Sequence, residues 1–394
     1  MPAPPLRVAW ISDFSIEWLD GLPPALAGLP RQHPLTWQRV LLDEFSERSG
    51  LELHVIVLRK GIERDVAFER KGIHFQVLKT RGLTRAPSLY WTDTWMIRRT
   101  LEQIQPHLVH AWGTERGAAL VGLRLPWPCL VTIQGLLSWY NSVLPPDAWR
   151  HFGAMLEDHA LRRAGHVTTE SSFAVNYLRK RHPRLTVHQV EHAPGRVFHE
   201  VARAPRTRPV RLMVTGHLDR RKGADALFLA LDSLLGETEF EVVHVGTADR
   251  RLLAGLRSVT SEELWSRYHP LGSLAADQVA AELSRATLFV LPTRADTSPN
   301  AVKEAVVAGV PVVATAVGGI PDYVTHGENG WLIPAVEKAV LAEALRAALR
   351  HPLLGRGEVA PATLARVRDY LSPQRMAENF QSAYAAVLTN NSPP

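Results

Sequence analysis

The sequence predicts an α/β protein built from two doubly wound domains that face each other across a cleft. Short β-rich runs alternate with helical periodicity over nearly all 394 residues, the pattern of parallel sheets flanked by helices. That alternation occurs twice, on either side of FHEVARAPRTRP at 198 to 209, a Pro- and Arg-rich stretch with neither period. A chain of this length also exceeds one ordinary core, so two domains are expected. The expected division is a first domain over 1–198, a linker over 199–209 and a second domain over 210–370.

In the first half LRVAWI, LELHVIVL, IHFQVL, HLVHAW, PCLVTI, HVTTE and LTVHQV read as strands. Between them lie helices such as TWQRVLLDEFSERSG, where Trp37, Leu41 and Phe45 share a face, Thr36 serves as cap and Gly50 as stop. In the second half VRLMVTG, FEVVHVG, TLFVLPT and VPVVATA read as strands, with helices in ADALFLALDSLLG, AADQVAAELSRA and AVEKAVLAEALRAALR. The terminal LSPQRMAENFQSAYAAVL is amphipathic, and a helix over 371–394 is expected to pack back on the first domain.

Composition narrows the class. The hydrophobic share of 46% with 21% charged residues is that of a globular protein, and no run approaches the roughly 18 to 20 apolar residues of a membrane span. The apolar part of MPAPPLRVAWIS is too short for a secretory signal, so a cytoplasmic enzyme is expected. Cys129 is the only cysteine, which excludes an intrachain disulfide, a Cys-cluster metal site and paired-thiol redox chemistry. The net charge of +6 suits anionic partners. The basic residues are scattered, however, with RKRHPR at 179–184 and RRKG at 220–223 the only dense groups, so nucleic acid is not the expected partner. The basic groups would also suit peripheral contact with an anionic membrane, although no amphipathic anchor is evident.

In doubly wound domains ligands bind at the carboxyl ends of strands, so the loops there are where chemistry is sought. In DTSPNAVKEAVVAGVPVVATAVGG, residues 296 to 319, Ser298 reads as N-cap and Pro299 as the first residue of a helix that stops at Gly309. The free N–H groups there, with those of Asn300 and Ala301, form an anion seat suited to phosphate. Glu304 lies about 7 to 8 Å further along the axis, within reach of a ribose attached to a diphosphate. An ordinary capped helix with a surface glutamate is the competing reading. A second loop, VTGHLDRRKGAD, aims Lys222 at the same crevice. Neither a Walker A loop nor G-x-G-x-x-G occurs, which argues against a nicotinamide dehydrogenase.

Taken together, G-x-L-x-x-x-K-G at 216–223, the spacing of Asp296 and Glu304, AVVAGVPVVATAVGGIPDYV and HGENGWLI resemble the donor-binding half of the retaining glycosyltransferases of family 4, a glycogen synthase-like superfamily. The resemblance covers most of residues 210 to 390. HLVHAWGTE and LVTIQGL resemble that family's acceptor side in outline. The implied fold is GT-B, with two Rossmann-like domains, and the implied activity is retaining transfer from a nucleotide diphosphate sugar to a saccharide or lipid-linked acceptor. By the same resemblance Lys222 contacts the diphosphate, Ser298, Pro299, Asn300 and Ala301 hold it, Glu304 binds the ribose, and Asp296 lies beside the transferred sugar. Family members use UDP, GDP or ADP donors.

The departures are informative. Asp296 stands where the family usually has Glu, His217 where Arg is usual, with Arg220 or Arg221 as substitutes, and Gln134 where many members have His. In the family's front-face mechanism the leaving phosphate oxygen takes the acceptor proton, so Gln134 need not abolish activity. No D-x-D occurs, so no metal cofactor is expected; Lys222 and a helix dipole would neutralise the leaving group. His110, Trp112 and Glu115 stand near a strand end and could contact acceptor or sugar, packing and helix capping being the alternative. A nucleotide-sugar epimerase and a non-catalytic sugar-nucleotide or glycan binder remain the competing functions.

Overall fold

A computed structural model describes residues 4–31, 35–81 and 85–390. The chain divides into two compact units, one of residues 1–191 with 376–394 and one of residues 192–375.

The first unit holds an eight-stranded sheet: β1 (Leu6–Ile11), β2 (Leu51–Arg59), β3 (Val66–Arg70), β4 (Ile73–Lys79), β5 (Leu108–Trp112), β6 (Cys129–Thr132), β7 (His166–Thr169) and β8 (Thr186–Gln189). Their order is β3-β4-β2-β1-β5-β6-β7-β8, parallel except for β3. All seven anticipated strands form. β3 is an addition, tied to β4 by the two-residue turn Lys71-Gly72, whose φ values of 49° and 72° match the twist of a hairpin. Every residue of β5 and β7 is buried, as expected of central strands covered on both faces. The expected helix start at Thr36 differs in detail: Leu35, at φ 43°, is the N-cap, and the helix ends at Ser46. The long loop over 12–35 carries single 3-10 turns at Ile16–Trp18 and Pro24–Leu26, and its residues 32–34 lie outside the described residues.

The second unit holds β9 (Val210–Thr215), β10 (Phe240–Val245), β11 (Tyr268–Gly272), β12 (Leu288–Leu291), β13 (Val312–Thr315) and β14 (Gly330–Ile333), all parallel, in the order β11-β10-β9-β12-β13-β14. The two edge strands β11 and β14 have no counterpart in the sequence reading, because YHPLG carries a proline and GWLI begins on glycine. Side chains alternate between two cores. Leu212, Val214, Leu288 and Val290 pack with Leu227, Leu231 and Leu345, while Met213, Phe289 and Leu291 pack with Val302 and Val306 on the other face.

Two boundaries differ from expectation. The first unit ends at Glu191 rather than at 198, and the stretch expected as a linker is bound to the second unit. The amide of Ala204 donates to Ser284 O at 2.9 Å, and Arg203 reaches Ala286 O at 2.6 Å and Gly357 O at 2.7 Å. These acceptors include carbonyls left over at the end of helix Ala276–Arg285, so an aperiodic segment is fixed by capping rather than by a core. The terminal helix spans Pro373–Asn390 and counts with the first unit from Met376 onward; residues 391–394 lie outside the described residues.

Among the parallel strands of each sheet the order reverses once, between β1 and β5 and between β9 and β12. Crevices open at such reversals because neighbouring connections leave in opposite directions.

Candidate active site

At the β9/β12 reversal two loops are laced together. Arg294 N donates to Arg221 O at 2.7 Å, and the Arg294 guanidinium pairs with Asp225 at 2.7 Å. Gly223, at φ 76°, makes this approach feasible: a Cβ there would lie 1.9 Å from Pro292 O. The lacing delivers Lys222 Nζ to Asp296 Oδ2 at 2.6 Å, with Arg221 Nη1 3.5 Å from the same oxygen and 3.0 Å from Ala295 O. Lys222 is oriented from its own backbone as well, since its amide donates to Asp219 Oδ1 at 2.7 Å.

The next helix, Asn300–Val307, begins one residue later than expected. Pro299 is its N-cap, and Ser298 is not: the Ser298 hydroxyl is buried and directed at Tyr323 Oη, 3.4 Å away. Proline cannot cap through a side-chain oxygen, so the amides of Asn300 and Ala301 stay available at the helix start. Glu304 is half-buried on this helix with no hydrogen-bond or ionic partner for its carboxyl among the described residues, and desolvation pushes that carboxyl up to about 8. Gly318, at φ 57°, lets the chain after β13 pass the Asp296 loop; a Cβ would meet Asp296 O at 1.9 Å, and Gly319 N donates to Thr297 O at 2.7 Å. His217 stands apart from this group, exposed, with Nδ1 2.8 Å from Thr247 Oγ1. Arg221 is therefore the second cation beside Asp296. Sequence reading gave no sign of Lys303, fully buried with Nζ 3.3 Å from His192 O, because a lysine inside a helix ordinarily faces solvent.

At the β1/β5 reversal of the first unit lies a cavity of about 590 Å³. Trp112, Glu115 and Arg116 line it after β5, Gln134 after β6, Asp13 and Ser15 after β1, and Leu35 and Gln38 at the start of the first helix. Burial pushes the Glu115 carboxyl up to about 7, and the nearby charge of Glu157 adds to the shift. Glu157 is itself fully buried, where it accepts from Ser138 N at 3.0 Å, Leu137 N at 3.2 Å and Thr114 Oγ1 at 3.0 Å, capping helix Leu137–Val143.

His110 is not part of this cavity, which corrects its expected contact with acceptor or sugar. Its ring is fully buried, with Nδ1 2.9 Å from Tyr384 Oη and Nε2 2.6 Å from Thr132 Oγ1. His110 shares a face of β5 with Trp112 but lies further from the strand end, packed against Phe380 and Tyr384 of the C-terminal helix, and burial holds its pKa well below the usual histidine range. Asp13 and Arg116 were passed over as site residues, although the rule that strand-end loops carry chemistry applies to both. Among the described residues the one group of three potential metal ligands is Glu52, His54 and His74 on β2 and β4, remote in sequence from every site residue, and Arg7 holds Glu52 at 2.8 Å.

A feature that reading the sequence missed lies on helix Ala148–Leu161. Trp149, Phe152 and Met155 are exposed, at 79%, 36% and 69%, and Val143 just before it is 47% exposed. Spacings of three residues place all three helix side chains on one stripe, a signal present in the sequence.

Residues 41–192 match the family described as Glycosyltransferase Family 4, and residues 209–351 match Glycosyl transferases group 1. The putative colanic acid biosynthesis glycosyltransferase WcaL of Salmonella typhimurium is 28% identical over 159 residues, 38% of each chain. The D-inositol 3-phosphate glycosyltransferase of an Arthrobacter species is 25% identical over 317 residues, 73% of each chain. The chain thus spans about two fifths of the length of several curated relatives it matches. In fold it superposes on sucrose-phosphate synthase from Thermosynechococcus elongatus with a TM-score of 0.80 at 19% identity, covering 98% of this chain and 100% of that one. For Anabaena HepE in complex with UDP the TM-score is 0.67 at 15% identity, covering 97% and 100%. With both halves matched in the expected order on two parallel-sheet units, the chain belongs to the family 4 glycosyltransferases of GT-B fold.

Proposed function

We propose that the protein transfers a sugar, with retention of anomeric configuration and without a metal, from a nucleotide diphosphate sugar to a saccharide or lipid-linked acceptor. The observation that carries this reading is the convergence of Lys222, Arg221 and Asp296 beside a helix start with two available amides. Departure of a nucleoside diphosphate places negative charge on phosphate oxygens, and two cations with a helix N-terminus stabilise it. Asp296 is the counter-ion of Lys222, a role that a bound diphosphate would take over, leaving Asp296 for the sugar. Glu304, further along the helix, accepts hydrogen bonds from the ribose hydroxyls. HepE structures hold UDP and UDP-glucose, which supports a nucleotide-sugar donor, and WcaL and the similar amylovoran biosynthesis glycosyltransferase AmsK of Erwinia amylovora are named for polysaccharide biosynthesis, which supports a saccharide acceptor.

In the first unit Trp112, Glu115 and Gln134 form the acceptor side. The Gln134 amide orients a hydroxyl without removing its proton, consistent with the leaving phosphate oxygen as proton acceptor. A lipid-linked acceptor would bring the protein to a membrane surface, and the exposed stripe of Trp149, Phe152 and Met155 supports peripheral contact.

A thermal-shift screen of nucleotide sugars tests the donor, because a ligand of the native state raises its stability. One or more donors should raise the melting temperature, transfer should proceed in excess chelator, and the product should keep the donor's anomeric configuration. Absence of binding across a broad panel overturns the reading. Binding without turnover on any acceptor would mark a non-catalytic binder, and an altered sugar without transfer an epimerase.

A further inference from the structure

Beside the larger cavity of the first unit lies a second one of about 340 Å³, and the two share Asp13 and Arg116. The charged groups lining it are Asp13, Glu17, Arg59, Lys60, Arg85 and Arg116. Arg59 and Glu17 are committed to each other. Both are buried, Arg59 Nε lies 2.8 Å from Glu17 Oε1, and the remaining guanidinium donors meet Phe14 O at 2.6 Å and Leu58 O at 3.1 Å. That pair forms a neutral floor.

The other three cations keep donors to spare. Arg85 gives only its Nε to Asp93, at 2.7 Å, and its terminal nitrogens have no acceptor among the described residues. Lys60 is exposed and has no ionic partner among the described residues. Arg116 meets Asp13 loosely, Nη1 to Oδ2 at 3.5 Å, longer than a hydrogen bond. Asp13 and Glu17 offset part of this charge, but four cations line the space against those two carboxylates, so the space favours an anion. Guanidinium forks and an ammonium are also the groups that match tetrahedral oxyanions.

We propose that this cavity is a phosphate subsite of the acceptor: Lys60, Arg85 and Arg116 hold a phosphate, and the hydroxyl to be glycosylated lies in the adjoining cavity beside Glu115 and Gln134. The volume accommodates a phosphate with part of the group that bears it. Asp13 and Arg116 line both cavities, so the two spaces adjoin. The phosphate is either a monoester on a sugar or polyol or the phosphate of a lipid carrier. This assignment rests on reading the first unit as the acceptor side.

Calorimetric titration of the full chain tests it, with hexose and polyol monophosphates set against the same compounds unphosphorylated, and in a second arm with vesicles containing a polyprenyl phosphate. Phosphorylated probes, or the doped vesicles, should bind at least about tenfold more tightly than their plain counterparts. K60Q and R116Q should each remove roughly tenfold of that affinity, the scale of one charge-assisted hydrogen bond. Both residues are exposed, so folding is not at stake. Preference for a soluble monoester or for the doped vesicle assigns the source of the phosphate. Because the donor site also attracts phosphate, K222A serves as control: it should weaken UDP and leave the phosphorylated acceptor probes unchanged. Nucleotide binding with no preference for phosphorylated probes, or a preference indifferent to K60Q and R116Q, overturns the subsite. Phosphate preference without nucleotide binding would instead overturn the donor reading.

Discussion

Glu304 shows how a single carboxyl can report on a site. Its pKa rises from the ordinary 4.5 to about 8, so the folded chain keeps the proton up to pH ~8 while the unfolded chain loses it near 4.5. Folding stability attributable to this group therefore falls as pH rises between those values. Glu304→Gln removes the dependence, and its melting temperature should gain on the parent's as pH is raised across that window. A ribose diol donates better to a carboxylate than to the neutral acid, so affinity for UDP should climb through pH ~8 in the parent and stay flat in the variant. Parallel melting curves across the window would show that the carboxyl does not titrate there. At the same scale, Asp296 and Lys222 illustrate a pairing invisible in sequence: two residues 74 apart, expected in separate roles, form one ion pair.

At the scale of an element, helix Ala148–Leu161 separates packing from surface. Ala154, Glu157, Ala160 and Leu161 face inward, whereas Trp149, Phe152 and Met155 face solvent, an arrangement that water alone does not favour. Arg162 and Arg163 follow as exposed cations just past the helix, suited to anionic headgroups. Replacement of Trp149 and Phe152 together by serine should abolish co-sedimentation with anionic vesicles while leaving nucleotide binding intact; retention on the vesicles would remove this stripe from any membrane role. The loops of the second unit follow a different logic. Gly223 and Gly318 are where main chain passes main chain, so the site's geometry is stored in two backbone crossings and its charges are hung upon them.

At the scale of the molecule, the C-terminal helix completes the first unit. Tyr384 Oη accepts from Trp10 Nε1 at 3.1 Å and meets His110 Nδ1 at 2.9 Å, and the line continues from His110 Nε2 to Thr132 Oγ1 at 2.6 Å. A neutral imidazole with one donor and one acceptor nitrogen satisfies every member. Tyr384→Phe strands the Trp10 N–H and one His110 nitrogen in a dry core, at a cost of about 1–3 kcal/mol in urea unfolding; an unchanged midpoint would show that the network contributes nothing. The helix itself was legible from its amphipathic period, but the tyrosine's partners were not, because they lie 274 and 374 positions away. The strands with an uninterrupted apolar run, helices such as Asn300–Val307 and the loops carrying Lys222 and Asp296 could be read from the sequence because they rest on local period, caps and glycine spacing. The edge strands β11 and β14, disguised by proline and glycine, could not. The sequence by itself determined the fold class, the loop motifs around Lys222 and Asp296 and the exclusion of an intrachain disulfide, all of which depend on residue type and short spacing. Only the tertiary structure decided that His110 is core, that residues 199–209 are fastened to the second unit and that Asp13, Lys60, Arg85 and Arg116 share one space, because burial and charge proximity depend on which strands become neighbours.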